Sequence, residues 1–232
     1  MTDDPHARRP VAQGGAPLSR AKLTMILVHG RGGNARDMLA LADHLALPDV
    51  ACLAPEAAGN SWWPQSFLAP IAANEPWLSS GLAAVGRVAG DLERQGFGRE
   101  RTVLLGFSQG ACLALEYVAR SGGAFRAVVG LSGGLVGTAD SDDGPRRDDH
   151  YGHAGKRFDY AESRLDGVPV FLGCHERDPH IPLARVRETE AVLGALGATV
   201  TTRIYPGAGH GVVDDEVRLV RGLLNRRQDE AG

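Results

Sequence analysis

Short apolar runs alternate with longer amphipathic stretches along most of the chain. The runs at 23–29, 50–54, 101–107, 125–131, 168–173 and 198–205 are apolar or rich in β-branched residues, as in Met25-Ile26-Leu27-Val28 and Val103-Leu104-Leu105. Strands that read as continuously apolar are buried on both faces, the condition of a parallel sheet covered by helices. Between them, stretches at about 35–46, 76–95, 109–120, 183–196 and 212–226 have helical character. In the last, Val213, Val217, Val220 and Leu224 recur every three or four residues behind the acidic start Asp214-Asp215-Glu216, and Gly197 follows Leu196 as a C-cap for the stretch before it. Regular strand–helix alternation predicts an α/β fold, with a mostly parallel central sheet and helices on both faces.

Two stretches depart from this rhythm. Residues 1–22 are rich in Pro, Gly, Arg and Ala, lack the apolar centre of a secretory signal, and read as a flexible N-terminal tail. Residues 137–166 are polar, contain Thr138-Ala139-Asp140-Ser141-Asp142-Asp143-Gly144-Pro145, and show little periodicity; a loop of that length is usually functional or disordered. The expected organisation is therefore a tail at 1–22 and one domain at 23–226 interrupted by a polar insertion.

Composition narrows the partners. A formal net charge of -3, with no basic run interleaved with aromatics, argues against nucleic acid. No apolar run approaches the roughly 18 to 20 residues needed for a membrane span. Cys52, Cys112 and Cys174 form no CxxC pair, and their odd number suggests no disulfide framework, so a reducing, cytoplasmic compartment is expected.

The chemistry is concentrated in a few loops. Gly106-Phe107-Ser108-Gln109-Gly110 matches G-x-S-x-G, in which glycines permit a sharp strand-to-helix turn that presents the hydroxyl. Gly130-Leu131-Ser132-Gly133-Gly134 matches too, and context separates them. Ser108 follows Val103-Leu104-Leu105 and opens the helix former Ala111-Cys112-Leu113-Ala114-Leu115, whereas Ser132 runs into glycines and a polar loop. Ser108 is the candidate nucleophile and Ser132 a turn residue.

A serine hydroxyl needs an imidazole to take its proton and a third group to fix the imidazole tautomer. Gly207-Ala208-Gly209-His210-Gly211 lies between the last strand and the last helix, which makes His210 the candidate base. Asp178, just beyond Val170-Phe171-Leu172, is the candidate orienting acid, with Glu176 as its rival. The order Ser, acid, His and the intervening lengths let all three meet at the carboxyl edge of the sheet. Two backbone donors are expected to face the developing oxyanion: the N–H of Gln109 and that of Arg31 in the first strand's loop, with Gly32 as the alternative.

Together these pieces resemble the phospholipase/carboxylesterase family of small esterases, which includes acyl-protein thioesterases and has the α/β-hydrolase fold. The likeness spans about 23–224 and rests on Val28-His29-Gly30, on Gly106 to Gly110, on Asp178-Pro179-His180-Ile181-Pro182 and on Gly209-His210. It implies hydrolysis of a small-molecule carboxylic ester or thioester without metal or organic cofactor. It also sets Asn60-Ser61-Trp62-Trp63-Pro64 at a loop that contributes to the acyl pocket, making Trp62 and Trp63 candidates for pocket lining, with core packing as the alternative. Arg31, where such proteins often have an apolar residue, and the polar insertion depart from the family pattern. The rival readings are a dienelactone-hydrolase-like enzyme, in which Arg31 would assist a substrate carboxylate, and a noncatalytic binding protein on the same scaffold. A metal cluster at Asp148, Asp149, His150 and His153 has no periodic support, and a solvated loop is the better reading of it.

Overall fold

The computed structural model describes residues 4–137, 160 and 163–225. Among these, seven strands form one sheet: β1 (Val11–Gly15), β2 (Leu23–Val28), β3 (Val50–Pro55), β4 (Thr102–Phe107), β5 (Ala127–Leu131), β6 (Pro169–Arg177) and β7 (Thr199–Ala208), in the spatial order β1-β3-β2-β4-β5-β6-β7. All neighbouring pairs are parallel except β1 with β3. The helices are α1 (Ala35–Leu45), α2 (Trp77–Arg94), α3 (Gln109–Ser121), α4 (Leu183–Ala195) and α5 (Asp214–Asn225).

The continuous apolar runs reflect two cores, one on each face. Alternate residues of a strand point to opposite faces. Ile26, Val28 and Leu104 join the core shared with α2, α3 and α4, while Met25, Leu27, Val103 and Leu105 join the core under α1 and α5. No position of β2 is solvated, so no alternation of polar residues marks its period, and its one polar side chain, Thr24, is buried against Thr102. The α/β class predicted from the pattern, and the α/β-hydrolase fold that the resemblance implied, are borne out by this mostly parallel sheet with helices on both faces.

The expectation of a tail over 1–22 is corrected. Val11–Gly15 form edge strand β1, antiparallel to β3 from Val11 opposite Pro55 to Gly15 opposite Ala51. Leu18–Arg20 make a 3-10 turn, and His6 is buried. The sequence hid this because β1 pairs through main-chain groups with β3 and buries little of its own, its side chains being exposed or half-buried.

Strands β6 and β7 also outrun their expected ends at 173 and 205. Polar His175, Glu176 and Arg177 interrupt the apolar run but not the pairing, which continues through His175 opposite Tyr205 to Arg177 opposite Ala208, with a register shift between. The consequence is functional: the residues following these two strands leave the sheet side by side. Most of the polar insertion, including the stretch around His150 and His153, lies outside the described residues. No helix among the described residues is long and apolar enough to cross a membrane, and Cys52, Cys112 and Cys174 are free and buried.

Candidate active site

Strand order reverses at β2: the chain passes first to β3 on one side and then to β4 on the other. In open α/β sheets, such a switch point leaves a crevice at the carboxyl ends of the strands. Here the loop after β2 carries His29 to Asn34, and the turn after β4 carries Ser108.

Ser108 has φ 54 and ψ -122, a left-handed conformation that costs a non-glycine residue about 1–3 kcal/mol and presents its side chain at the turn. The flanking glycines make the turn possible sterically. A Cβ on Gly106 would lie 2.2 Å from the Gly110 carbonyl oxygen, and one on Gly110 would lie 2.1 Å from that of Val28. Both distances are impossible, so α3 can approach β2 and β4 only with glycine at both positions.

Three remote side chains meet at this turn. His210 Nε2 is 2.8 Å from Ser108 Oγ, and its Nδ1 is 2.8 Å from Asp178 Oδ2. A carboxylate only accepts, so the Nδ1–H donates to Asp178 and the Nε2 lone pair faces the serine hydroxyl. Asp178 Oδ1 accepts from the N–H groups of His180 and Ile181 at 2.8 and 3.0 Å. Burial alone would raise the Asp178 carboxyl, but the His210 bond and these backbone donors outweigh it and hold the group below the ordinary carboxylate range. The His210 ring packs against Phe107 and, edge to face, against His180, with centroids 5.3 and 4.7 Å away. Glu176, the rival acid, is exposed and within 3.5 Å of the Gly207 N–H. Ser132 is buried at the end of β5, where its N–H donates to Gly173 O.

The two expected oxyanion donors are available. Among the described residues, the backbone N–H groups of Arg31 and Gln109 have no hydrogen-bond partner, whereas that of Gly32, the alternative, donates to Asn60 O at 2.7 Å. The Arg31 N–H belongs to the same planar peptide as the Gly30 carbonyl. That carbonyl accepts from His29 Nδ1 at 2.7 Å and from Gly33 N–H at 3.1 Å, while His29 Nε2 accepts from Ala57 N–H at 3.1 Å. Burial holds the His29 pKa below its ordinary value, which preserves the neutral tautomer these bonds require. Gln109 is fixed through its amide: Oε1 accepts from Trp62 N–H and Nε2 donates to Trp63 O, both at 2.9 Å.

Ser108, His210 and Gln109 open on a cleft of about 590 Å³ whose walls include Arg31, Trp63, Phe67, Cys112, His180 and Ile181. Of the two tryptophans Trp63 borders this cleft and Trp62 does not, which corrects the pocket expectation for Trp62. Trp62 is fully buried away from the cleft, its indole N–H donating to His29 O at 2.8 Å, because that bond turns the ring inward beneath the first-strand loop. The Arg31 side chain donates to Pro64 O and Gln65 O and has no carboxylate partner among the described residues. Burial pushes the Cys112 thiol up to about 12, so it stays protonated and non-nucleophilic at neutral pH. A larger cavity of about 730 Å³, bounded by Pro17, Ala46, Leu47 and Cys52, brings no such nucleophile–base pair together. The supporting roles of His29, Asn60 and Phe107 escaped the sequence reading. Only Phe107 carries a local signal, as the residue before the elbow serine.

Residues 15–146, more than half of the chain, match the phospholipase/carboxylesterase family, and residues 83–222 match the dienelactone hydrolase family. A solved phospholipase/carboxylesterase from Dyadobacter fermentans is 36% identical, with a TM-score of 0.83 over 93% of this chain and 96% of that one. Acyl-protein thioesterase 1 of Gibberella zeae is 30% identical over 128 residues, which are 55% of this chain and 48% of the thioesterase, so the match spans about half the length of that relative. The Bacillus cereus carboxylesterase, at 19% identity and a TM-score of 0.67 over 95% of each chain, shares the fold.

Proposed function

The chain belongs to the phospholipase/carboxylesterase family, and from that membership we propose that it is a serine hydrolase of carboxylic esters working through an acyl-enzyme. The observation that carries the reading is the unbroken path from Ser108 Oγ to His210 to Asp178, two contacts of 2.8 Å. In this reading the Ser108 oxygen attacks the ester carbonyl as its proton passes to His210 Nε2. The resulting imidazolium is stabilised by Asp178, and the oxyanion is met by the N–H groups of Arg31 and Gln109. Collapse of the tetrahedral species returns the electron pair to the carbonyl and expels the alcohol, which takes the proton from His210. Water then repeats the sequence on the acyl-serine, releasing the acid and restoring the hydroxyl.

Arg31 favours a second reading within the same chemistry: an exposed guanidinium at the cleft wall without a carboxylate partner among the described residues suits an ester that itself bears a carboxylate. The likeness to the dienelactone hydrolase family and to a thioesterase keeps small anionic esters and thioesters among the candidate substrates.

One assay addresses both readings. Purified protein and its Ser108→Ala variant are given aryl esters and thioesters of graded acyl length, with and without a carboxylate, and a phosphonate fluoride as active-site probe. We expect turnover and covalent labelling of the wild type, and loss of both in the variant. Near-wild-type activity in Ser108→Ala, with loss in Ser132→Ala, would refute the assignment; indifference to substrate charge would remove the second reading.

A further inference from the structure

Both predicted oxyanion donors are held by one stretch of chain, residues 57–63. Its Ala57 N–H donates to His29, its Asn60 O accepts from Gly32, and its Asn60 Nδ2 donates to Gly33 O at 3.0 Å. Its Trp62 indole donates to His29 O, while Trp62 N–H and Trp63 O hold the Gln109 amide. This stretch therefore sets where the Arg31 loop and the Gln109 turn stand relative to each other. Those separate elements could not fix that distance alone.

The stretch is itself clamped by a residue from the far N-terminus. His6 is 2% exposed. Its Nδ1 accepts from Ala58 N–H at 3.0 Å, so its Nε2 carries the hydrogen and donates to Trp62 O at 3.0 Å. The ring lies edge-on to Trp62 and Trp77, with centroids 5.2 and 5.5 Å away. The backbone behind it is anchored to α2: His6 N–H donates to Ser80 Oγ at 2.8 Å, and Arg87 bonds both His6 O at 3.1 Å and the Asp4 carboxylate at 2.9 Å. The Ser80 hydroxyl also donates to Asp4. Burial holds the imidazole's pKa below its ordinary value, consistent with the neutral form that can both accept and donate.

We infer that His6 is a positioning residue for the oxyanion donors, acting through residues 58–62. The inference rests on the hydrolase reading. It gives the N-terminal segment a part in catalysis, where the sequence suggested only a tail. The ring spans a backbone donor at Ala58 and a backbone acceptor at Trp62, a bridge that an apolar side chain cannot make.

The test uses the full chain with His6→Ala and His6→Gln, measuring kcat and KM per site titrated with the phosphonate fluoride so that unfolded material does not count. Removing an oxyanion donor outright costs roughly 10²–10³ in kcat, and displacing both slightly should cost about tenfold. We expect that fall in kcat for His6→Ala with KM within about twofold, and a partial recovery in His6→Gln, whose amide keeps one acceptor and one donor. If His6→Ala yields no folded protein, Ser80→Ala, which releases the His6 N–H and Asp4, should show the same split, with a kcat loss of about threefold. Unchanged kcat per titrated site, whatever happens to thermal stability, overturns the role. A wild type that neither reacts with the probe nor hydrolyses any ester defeats the hydrolase reading itself, a result distinguishable from the former.

Discussion

At the scale of single residues, two kinds of constraint meet at the serine. Ser108 tolerates a left-handed backbone because α3 begins directly after it and β4 ends directly before it, so the surrounding structure over-determines the turn. Asp178 has a narrower task. Its two oxygens divide the work, Oδ1 taking backbone donors from its own loop and Oδ2 taking the His210 Nδ1–H. Asp178→Asn keeps the shape but can offer an N–H where a carboxylate oxygen accepted, which favours the wrong imidazole tautomer. The variant should fold normally and lose about 10⁴-fold in kcat, the size of the analogous change in serine proteases. A loss below about tenfold would show that His210 is oriented by something else. Ser108 was legible in the sequence because glycines flank it between a strand and a helix, and Asp178 because it follows an apolar strand and stands between Ser108 and His210 in chain order. Trp62 was not: adjacent tryptophans give no sign of which ring turns toward the cleft, and a single bond to His29 O decides it.

At the scale of elements, the elbow works because α3 packs against β2 and β4 with no side chain between them at its first turn. Gly110→Ala would set a methyl group 2.1 Å from the Val28 carbonyl oxygen, and neither backbone can move without disturbing the two strands. Overpacking of this kind costs about 1–3 kcal/mol or more. The expected outcome is a lower denaturant midpoint of that size together with a marked fall in kcat, since the helix that carries the Gln109 N–H is displaced. A variant as stable and as active as the wild type would mean that α3 has slack the packing does not show. Strands β6 and β7 make the complementary point. Their pairing past the apolar runs brings Asp178 and His210 out of the sheet together, and the polar His175, Glu176 and Arg177 concealed it, because ladder hydrogen bonds do not depend on side-chain polarity.

At the scale of the whole molecule, one buried acid couples stability to pH. Glu216, 1% exposed in the first turn of α5, receives the Val213 N–H at 2.9 Å, yet burial pushes its carboxyl up to about 7. A folded-state value above the unfolded one means that the native protein retains the proton longer. The associated stability is thus full below about pH 4.5 and is lost as pH rises toward 7. At about 1.4 kcal/mol for each tenfold, the loss approaches roughly 3 kcal/mol. Glu216→Gln keeps an oxygen for Val213 and removes the ionisation, so its unfolding free energy should vary less between pH 5 and pH 8 than that of the wild type. Equal slopes in the two proteins, measured by denaturant titration at each pH, would contradict this. Glu216 accepts from Val213, three residues after His210, so the same experiment reports on the footing of the loop that carries the candidate base.

What the sequence by itself determined was periodic or local: the α/β class from runs such as Met25 to Val28 and Val103 to Leu105, the elbow from Gly106 to Gly110, and the loop residues Asp178 and His210 from their places after strands. Burial and turn geometry impress such features on neighbouring residues, where a pattern can be read. What only the tertiary structure decided was joined across long separations by main-chain groups: β1 against β3, Gly32 N–H on Asn60 O, and His6 between Ala58 and Trp62. A backbone donor or acceptor is the same in nearly every residue type, so the main-chain partners in these bonds leave no letter in the sequence, and the letter His6 alone does not say which of them it meets.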